Sequence, residues 1–64
     1  MIKKEILEWL DENRWYFPKI AEKYNISIPT IYKILSNPEY KKGPHRRNIQ
    51  ALERAYKEFM IDKL

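Results

Sequence analysis

The segment FPKIAEKYNISIPTIYKILS, residues 17–36, decides the fold of this chain. Its apolar residues recur mostly at steps of three and four, the period of an amphipathic helix, with a polar interruption in the middle. Pro18 suits the first turn of a helix, and Asn25 tolerates the left-handed conformation with which helices often end. Ser27 is a typical N-cap for a following helix over residues 28–36. The segment therefore predicts two short helices joined by a tight turn.

The flanking sequence predicts one helix before this pair and a longer one after it. The first helix ends at Asn13 and has its apolar residues on one side. These are Ile2, Ile6, Leu7, Trp9 and Leu10. After a break at Asn37-Pro38, Gly43 as N-cap and Pro44 in the first turn are expected to open the last helix. Its apolar stripe is Ile49, Leu52, Tyr56 and Phe59. We predict a compact all-α domain of four to five helices over residues 1–64.

Aromatic side chains should supply much of the buried area, because a chain of 64 residues forms only a small core. Four of them are expected in the core: Trp9, Trp15, Phe17 and Phe59. In the second helix, the expected inward residues are Ile20, Ala21 and Tyr24.

Composition argues against several functional classes. There is no cysteine and His45 is the only histidine, which argues against disulfides, a metal site and a histidine-based catalytic relay. Neither paired carboxylates beside an obvious cleft nor a glycine-rich phosphate loop indicates an enzyme. No apolar run approaches the ~20 residues of a membrane span, and no signal-peptide pattern opens the chain. We expect a cytoplasmic protein that is not an enzyme, has no membrane partner and uses no cofactor or metal.

The net charge of +4 is concentrated in the middle of the chain. Residues 13–52 carry eight Lys and Arg against two Glu, a local charge of +6. Residues 1–12 carry a local charge of −2, and residues 53–64 are neutral. This distribution favours an anionic partner that touches the middle of the chain, although a solvated basic surface would look the same.

The third predicted helix has two faces of different chemistry. With Ile31 set as the inward direction, Ile34 and Leu35 fall on the same side at ~100° per residue. Pro29 and Lys33 point nearly the opposite way. They are flanked by Thr30, Tyr32 and Ser36, and the face contains no acid. Ammonium, hydroxyl and small apolar groups are the kinds of group that contact base edges in the DNA major groove.

Residues 17–36 resemble the helix-turn-helix of small bacterial and phage repressors, of the lambda-repressor and Cro type. The positions that match the pattern of that family are Ala21, Asn25, Ile26, Ser27, Ile31 and Ile34. Asn25 stands where the family usually has glycine. The wider stretch IAEKYNISIPTIYKILSNP is also similar to the headpiece of lac-repressor-type regulators. The resemblance implies a sequence-specific, double-stranded DNA-binding transcriptional regulator.

The resemblance also implies roles for individual residues. Those that correspond to base-reading positions are Ser27, Ile28, Pro29, Thr30, Tyr32 and Lys33. Phosphate contacts are expected at the start of the second helix and the end of the third, at Phe17, Pro18, Lys19, Ser36 and Asn37. For Ile28 and Tyr32, ordinary packing at a helix edge remains the alternative.

A basic segment follows the predicted pair and gives independent support. Its members are Lys41, Lys42, His45, Arg46 and Arg47, without an acid among them. Arg46 and Arg47 fall in the first turn of the last helix, where the helix dipole disfavours cations. A phosphate bound there would turn this cost into an attraction. The alternative is a solvated loop.

Three apolar residues at the end of the last helix lie outside its core stripe: Met60, Ile61 and Leu64. They are candidates for a homodimer contact, formed in solution or only on an inverted-repeat operator. The alternative is that they cover the core beneath Trp9 and Leu10. Two other functions stay open: the DNA-binding component of a recombination or packaging machine, of excisionase or small-terminase type, and a protein-binding antirepressor module.

Overall fold

The computed structural model describes residues 2–39 and 45–62, which form helices and turns without a strand. The elements are α1 (Lys4–Glu12), a 3-10 helix (Arg14–Tyr16), α2 (Phe17–Tyr24), α3 (Ile28–Ser36) and α4 (His45–Asp62). The all-α prediction is confirmed. The predicted start of α2 at Phe17 and the predicted span of α3 are also confirmed. Gly43 and Pro44, the predicted start of the last helix, lie outside the described residues.

Helix α1 ends at Asn13, as predicted, because this residue supplies two caps. Its side-chain Nδ2 donates a hydrogen bond to the Trp9 carbonyl at 2.8 Å. Its backbone N–H donates to the Leu10 carbonyl at 3.2 Å. Both carbonyls belong to the last turn of the helix, where the regular i→i+4 donors run out.

The 3-10 helix between α1 and α2 corrects one prediction about the core. Three residues complete a 3-10 turn, so three neighbouring side chains point in three directions. Phe17, just after this turn, is buried and Tyr16 is half-buried, whereas Trp15 is 66% exposed. The prediction that Trp15 lies in the core is therefore wrong. Trp9 is buried as predicted, and Phe59 is half-buried and packs on the core.

The turn between α2 and α3 is fixed by two residues that the sequence singled out. Asn25 adopts the left-handed conformation at φ 56° and ψ 47°. The N–H groups of Asn25 and Ile26 both donate to the Ala21 carbonyl, which completes the end of α2. Ser27 then caps α3, since its hydroxyl accepts the Thr30 N–H at 3.3 Å. Both predicted roles are confirmed.

A single core joins all four helices. Its most completely buried side chains are Leu10, Phe17, Ile20, Ile31, Ile34 and Leu52. Each such side chain contributes about 1.5–3 kcal/mol relative to an exposed position. Helix α4 adds Ile49 and also Ala55, which was not predicted. The core is continuous with an aromatic cluster in which Trp9 lies 5.4 Å from Tyr56 and 5.3 Å from Phe59, measured between ring centres.

Candidate nucleic-acid interface

Helix α3 has an outward face that is exposed and an inner face that packs into the core. Ile31 and Ile34 are buried, while Pro29, Lys33 and Ser36 are exposed. Ile28 and Thr30 are half-buried at the border between the two faces, as Leu35 is. The predicted division of the helix is therefore confirmed for Ile31 and Ile34 on the inside and for Pro29, Lys33 and Ser36 on the outside. Leu35, predicted to face inward, lies at the border instead.

At the start of α3, two hydroxyl groups are already engaged with each other. Ser27 Oγ and Thr30 Oγ1 lie 2.6 Å apart, in addition to the cap that Ser27 forms. A hydroxyl has one donor and two acceptor positions, so each retains some capacity for an external partner. Ser27 is the more committed of the two, because it also holds the helix N-terminus. Thr30 is accordingly the better candidate for contact with a base.

Tyr32 combines the two alternatives that the sequence left open. Its ring packs edge-on against Phe17, with ring centres 5.0 Å apart and planes at 73°. The residue nevertheless keeps 42% of its surface exposed. The guanidinium carbon of Arg14 lies 5.6 Å from the centre of the ring. Tyr32 is thus both a packing residue at the helix edge and an accessible group beside Lys33.

The start of α2 offers one accessible cation. Phe17 is only 1% exposed, and its backbone N–H donates to the Arg14 carbonyl in the 3-10 turn. The prediction that Phe17 binds phosphate does not fit this position, because both its ring and its amide serve the fold. Pro18 and Lys19 are exposed, so Lys19 carries the positive charge of this end.

The end of α3 presents two exposed polar residues. The Ser36 hydroxyl donates to the Lys33 carbonyl at 3.3 Å, and the Asn37 backbone N–H donates to the same carbonyl at 2.8 Å. Both side chains are exposed. The positions therefore remain compatible with the predicted contacts to phosphate.

The basic segment is described only in part. Lys41 and Lys42 lie outside the described residues. His45, Arg46 and Arg47 form the first turn of α4, which contains no acid. Arg46 and Arg47 are exposed, whereas His45 is half-buried and its Nδ1 atom is shielded from solvent. Arg47 also lines a groove with Ile26, so the start of α4 lies beside the α2–α3 turn.

Lys23, another cation of α2, forms an ion pair with Glu58 of α4 through its ammonium group. The hydrogen bond to Glu58 raises the pKa of Lys23, and the same bond lowers the pKa of Glu58. Burial raises the pKa of neighbouring Tyr24. The Lys23–Glu58 pair therefore connects α2 to α4 at the surface of the domain.

Sequence reasoning did not single out Arg14. It follows α1 and forms an ion pair with Asp11, with 2.6 Å between Arg14 Nη2 and Asp11 Oδ1. The spacing of three residues predicts such a pair on a helix surface. The contact between Arg14 and Tyr32 spans two helices, and no local pattern could have indicated it.

The far end of α4 carries the apolar residues proposed for pairing. Met60 and Ile61 are exposed, Ile61 by 65%, and Leu64 lies outside the described residues. The core beneath Trp9 is covered instead by Phe59 and Tyr56. Trp15 lies next to this end of the helix, with its ring 6.4 Å from that of Phe59. Met60 and Ile61 therefore do not serve as a lid on the core.

None of the helices in the described residues is both long and apolar enough to cross a membrane. Across the described ranges, no three His, Asp or Glu side chains come together as a metal site.

No protein-family model matches the chain, and neither a curated protein nor a solved structure is significantly similar to it. The chemistry and geometry of the described residues therefore carry the functional conclusion.

Proposed function

We propose that the protein is a sequence-specific, double-stranded DNA-binding regulator of the phage or prophage repressor type, which reads the major groove with α3. The observation that carries this proposal is the outward face of α3. It is free of acids and contains Lys33 and Thr30, while Ile31 and Ile34 fix the opposite face in the core. Acting on DNA in the cytoplasm, it would bind an operator rather than catalyse a reaction.

The dimensions and chemistry of α3 fit this task. An α-helix with its side chains is about 10–12 Å in diameter and the major groove is about 12 Å wide, so α3 can enter the groove. The ammonium of Lys33 can donate to guanine acceptors, and the Thr30 hydroxyl can contact several base edges. Pro29 and Ile28 offer apolar contact to a thymine methyl group. Tyr32 and Ser27 complete the set of proposed base-reading residues.

Cationic and polar side chains around this face would contact the phosphate backbone. The proposed phosphate contacts are Lys19, Ser36, Asn37, Lys41, Lys42, His45, Arg46 and Arg47, with Pro18 beside them. Such contacts fix the position of the protein on the duplex without reading sequence. They also make affinity fall steeply with salt, because each contact releases condensed counterions.

Replacing Arg46 and Arg47 together by glutamine should flatten the salt dependence of binding. Each phosphate contact contributes about −0.9 to the slope of log affinity against log salt, so the slope should change by about 1.8. The measurement is a duplex titration at several salt concentrations. A matched double variant, Arg54→Gln with Lys57→Gln, removes two cations further along α4 and should leave the slope unchanged. An unchanged slope for the variant of Arg46 and Arg47 would mean that these two side chains are solvated and do not contact phosphate.

Pairing of two copies would extend the site that is read. A single short helix contacts few base pairs, so we propose that two molecules bind an inverted repeat, with their reading helices ~34 Å apart. Met60, Ile61 and Leu64 are the proposed contact, and the neighbouring exposed Trp15 enlarges the apolar surface at this end. A surface of this size would favour pairing on DNA over a stable dimer in solution.

The same apolar end favours a second candidate function. An exposed tryptophan near Phe59, with exposed Ile61 two residues further along α4, is also what a protein-binding module of antirepressor type would present. The two functions differ in their response to duplex DNA, which a module of this kind would not bind. A DNA-binding component of excisionase or small-terminase type would bind duplex, but at recombination or packaging sites instead of operators.

Selection of bound duplexes from a random pool tests the proposal. We expect enrichment of one sequence, arranged as an inverted repeat with half-sites about one helical turn apart, and a footprint covering both. Enrichment of a single half-site with one protein per duplex would contradict pairing and leave DNA binding intact. Recovery of no enriched sequence would contradict sequence-specific binding.

A further inference from the structure

Three side chains meet where the end of α1 faces α3: Asp11, Arg14 and Tyr32. Arg14 donates two hydrogen bonds to one carboxylate oxygen of Asp11, from Nη2 at 2.6 Å and from Nε at 3.2 Å. Both side chains remain more than half exposed. The guanidinium carbon also lies 5.6 Å from the centre of the Tyr32 ring, within the range of a cation–π contact.

This cluster lies at the border of the face that we propose for DNA. Tyr32 directly precedes Lys33, and its ring packs on Phe17 at the start of α2. The groove that Asp11, Arg14 and Tyr32 line also includes Ser36, at the end of α3. Arg14 is therefore close to α3, at Tyr32 and Ser36, and its carbonyl accepts the Phe17 N–H at the start of α2.

We propose that Arg14 is a further phosphate ligand of this face and that Asp11 holds its guanidinium in the unbound protein. The inference rests on the proposed function. On binding, the guanidinium would exchange the Asp11 carboxylate oxygen for a phosphate oxygen, while the Tyr32 ring keeps it close to α3.

Two physical considerations favour such an exchange. An exposed ion pair contributes little to stability, so its loss costs the fold little. The planar guanidinium matches phosphate in a two-pronged geometry, whereas here it contacts a single carboxylate oxygen. The negative charge of Asp11, left beside the backbone, opposes binding. Asp11 therefore weakens binding both by occupying Arg14 and by repelling phosphate.

The test uses Arg14→Gln, Asp11→Asn and the double variant, each titrated with one selected duplex at several salt concentrations. Arg14→Gln should flatten the slope of log affinity against log salt by about 0.9. Asp11→Asn should tighten binding roughly two- to fivefold, the equivalent of one exposed ion pair. In the Arg14→Gln background, the same Asp11 change should give a clearly smaller gain.

The controls separate this role from a structural one. Arg54→Gln removes an exposed arginine from α4 and should leave the slope unchanged, and thermal melting should show that every variant is folded. If Arg14 acts only by orienting Tyr32, Arg14→Gln will weaken binding to the selected duplex without changing the slope, which would overturn the inference. Equal gains from Asp11→Asn in both backgrounds would overturn the exchange. In either case, duplex binding by the wild type would still support the proposed function. A wild type that binds no duplex would contradict both the proposed function and the role of Arg14.

Discussion

We expect Ile31→Asp to unfold the domain at neutral pH. Ile31 is completely buried between the other helices, so the substitution places a carboxylate in the core without a partner. Buried unpaired charges are among the few single changes that cost more than about 4 kcal/mol. A domain of 64 residues has a total stability of roughly 3–10 kcal/mol. Far-UV circular dichroism and thermal melting should show the loss of helix.

Two other variants identify burial as the cause. Lys33→Asp introduces the same residue at an exposed position of the same helix and should change stability by about 1 kcal/mol or less. Ile31→Val keeps the core apolar and should cost about 0.5–1.5 kcal/mol. An Ile31→Asp protein that melts like the wild type would mean that this face of α3 does not pack into the core.

Lys33→Ala is expected to reduce sequence discrimination while leaving the fold intact. Alanine is the best helix former, and Lys33 is exposed, so helix α3 should persist. Loss of a base contact should weaken binding to the selected duplex by about 1–3 kcal/mol, and binding to random DNA by much less. Competition titrations with the two duplexes measure both losses.

Lys57→Ala is the matched control for this result. It removes the same charge from α4, ten residues beyond Arg47 or ~15 Å along the helix, and should weaken both duplexes little and equally. Equal losses on selected and random DNA for Lys33→Ala would assign Lys33 to phosphate contact. Sequence reading would then have to come from Thr30 and its neighbours.

The parts of the fold that were predicted correctly depend on local chemistry. The left-handed turn at Asn25, the cap at Ser27 and the end of α1 at Asn13 each involve residues within five positions of one another. Spacing in the sequence reports such interactions directly. The inward direction of Ile31 follows in the same way from helical periodicity.

The parts that were missed depend on contacts between distant segments. Trp15 is exposed because a 3-10 turn sets the directions of its neighbours, and a three-residue turn leaves no periodic signal. Ala55 is buried where α4 packs closely, although alanine carries little hydrophobic signal of its own. The Arg14–Tyr32 contact and the Lys23–Glu58 pair connect separate helices. The predicted contact of Phe17 with phosphate does not fit the structure for a related reason. The Phe17 ring is buried in the core, where it packs on Tyr32 of α3.

The most direct test of the central claim is an amide chemical-shift titration of the isotopically labelled wild type with a selected duplex. We predict that shifts concentrate on the outward side of α3 at Thr30, Lys33 and Ser36, with further changes at Lys19 and at the first turn of α4. These changes should weaken as salt is raised, because phosphate contacts are salt-dependent. An outward face of α3 that stays unperturbed at excess duplex, or shifts confined to Trp15, Met60 and Ile61, would contradict the account.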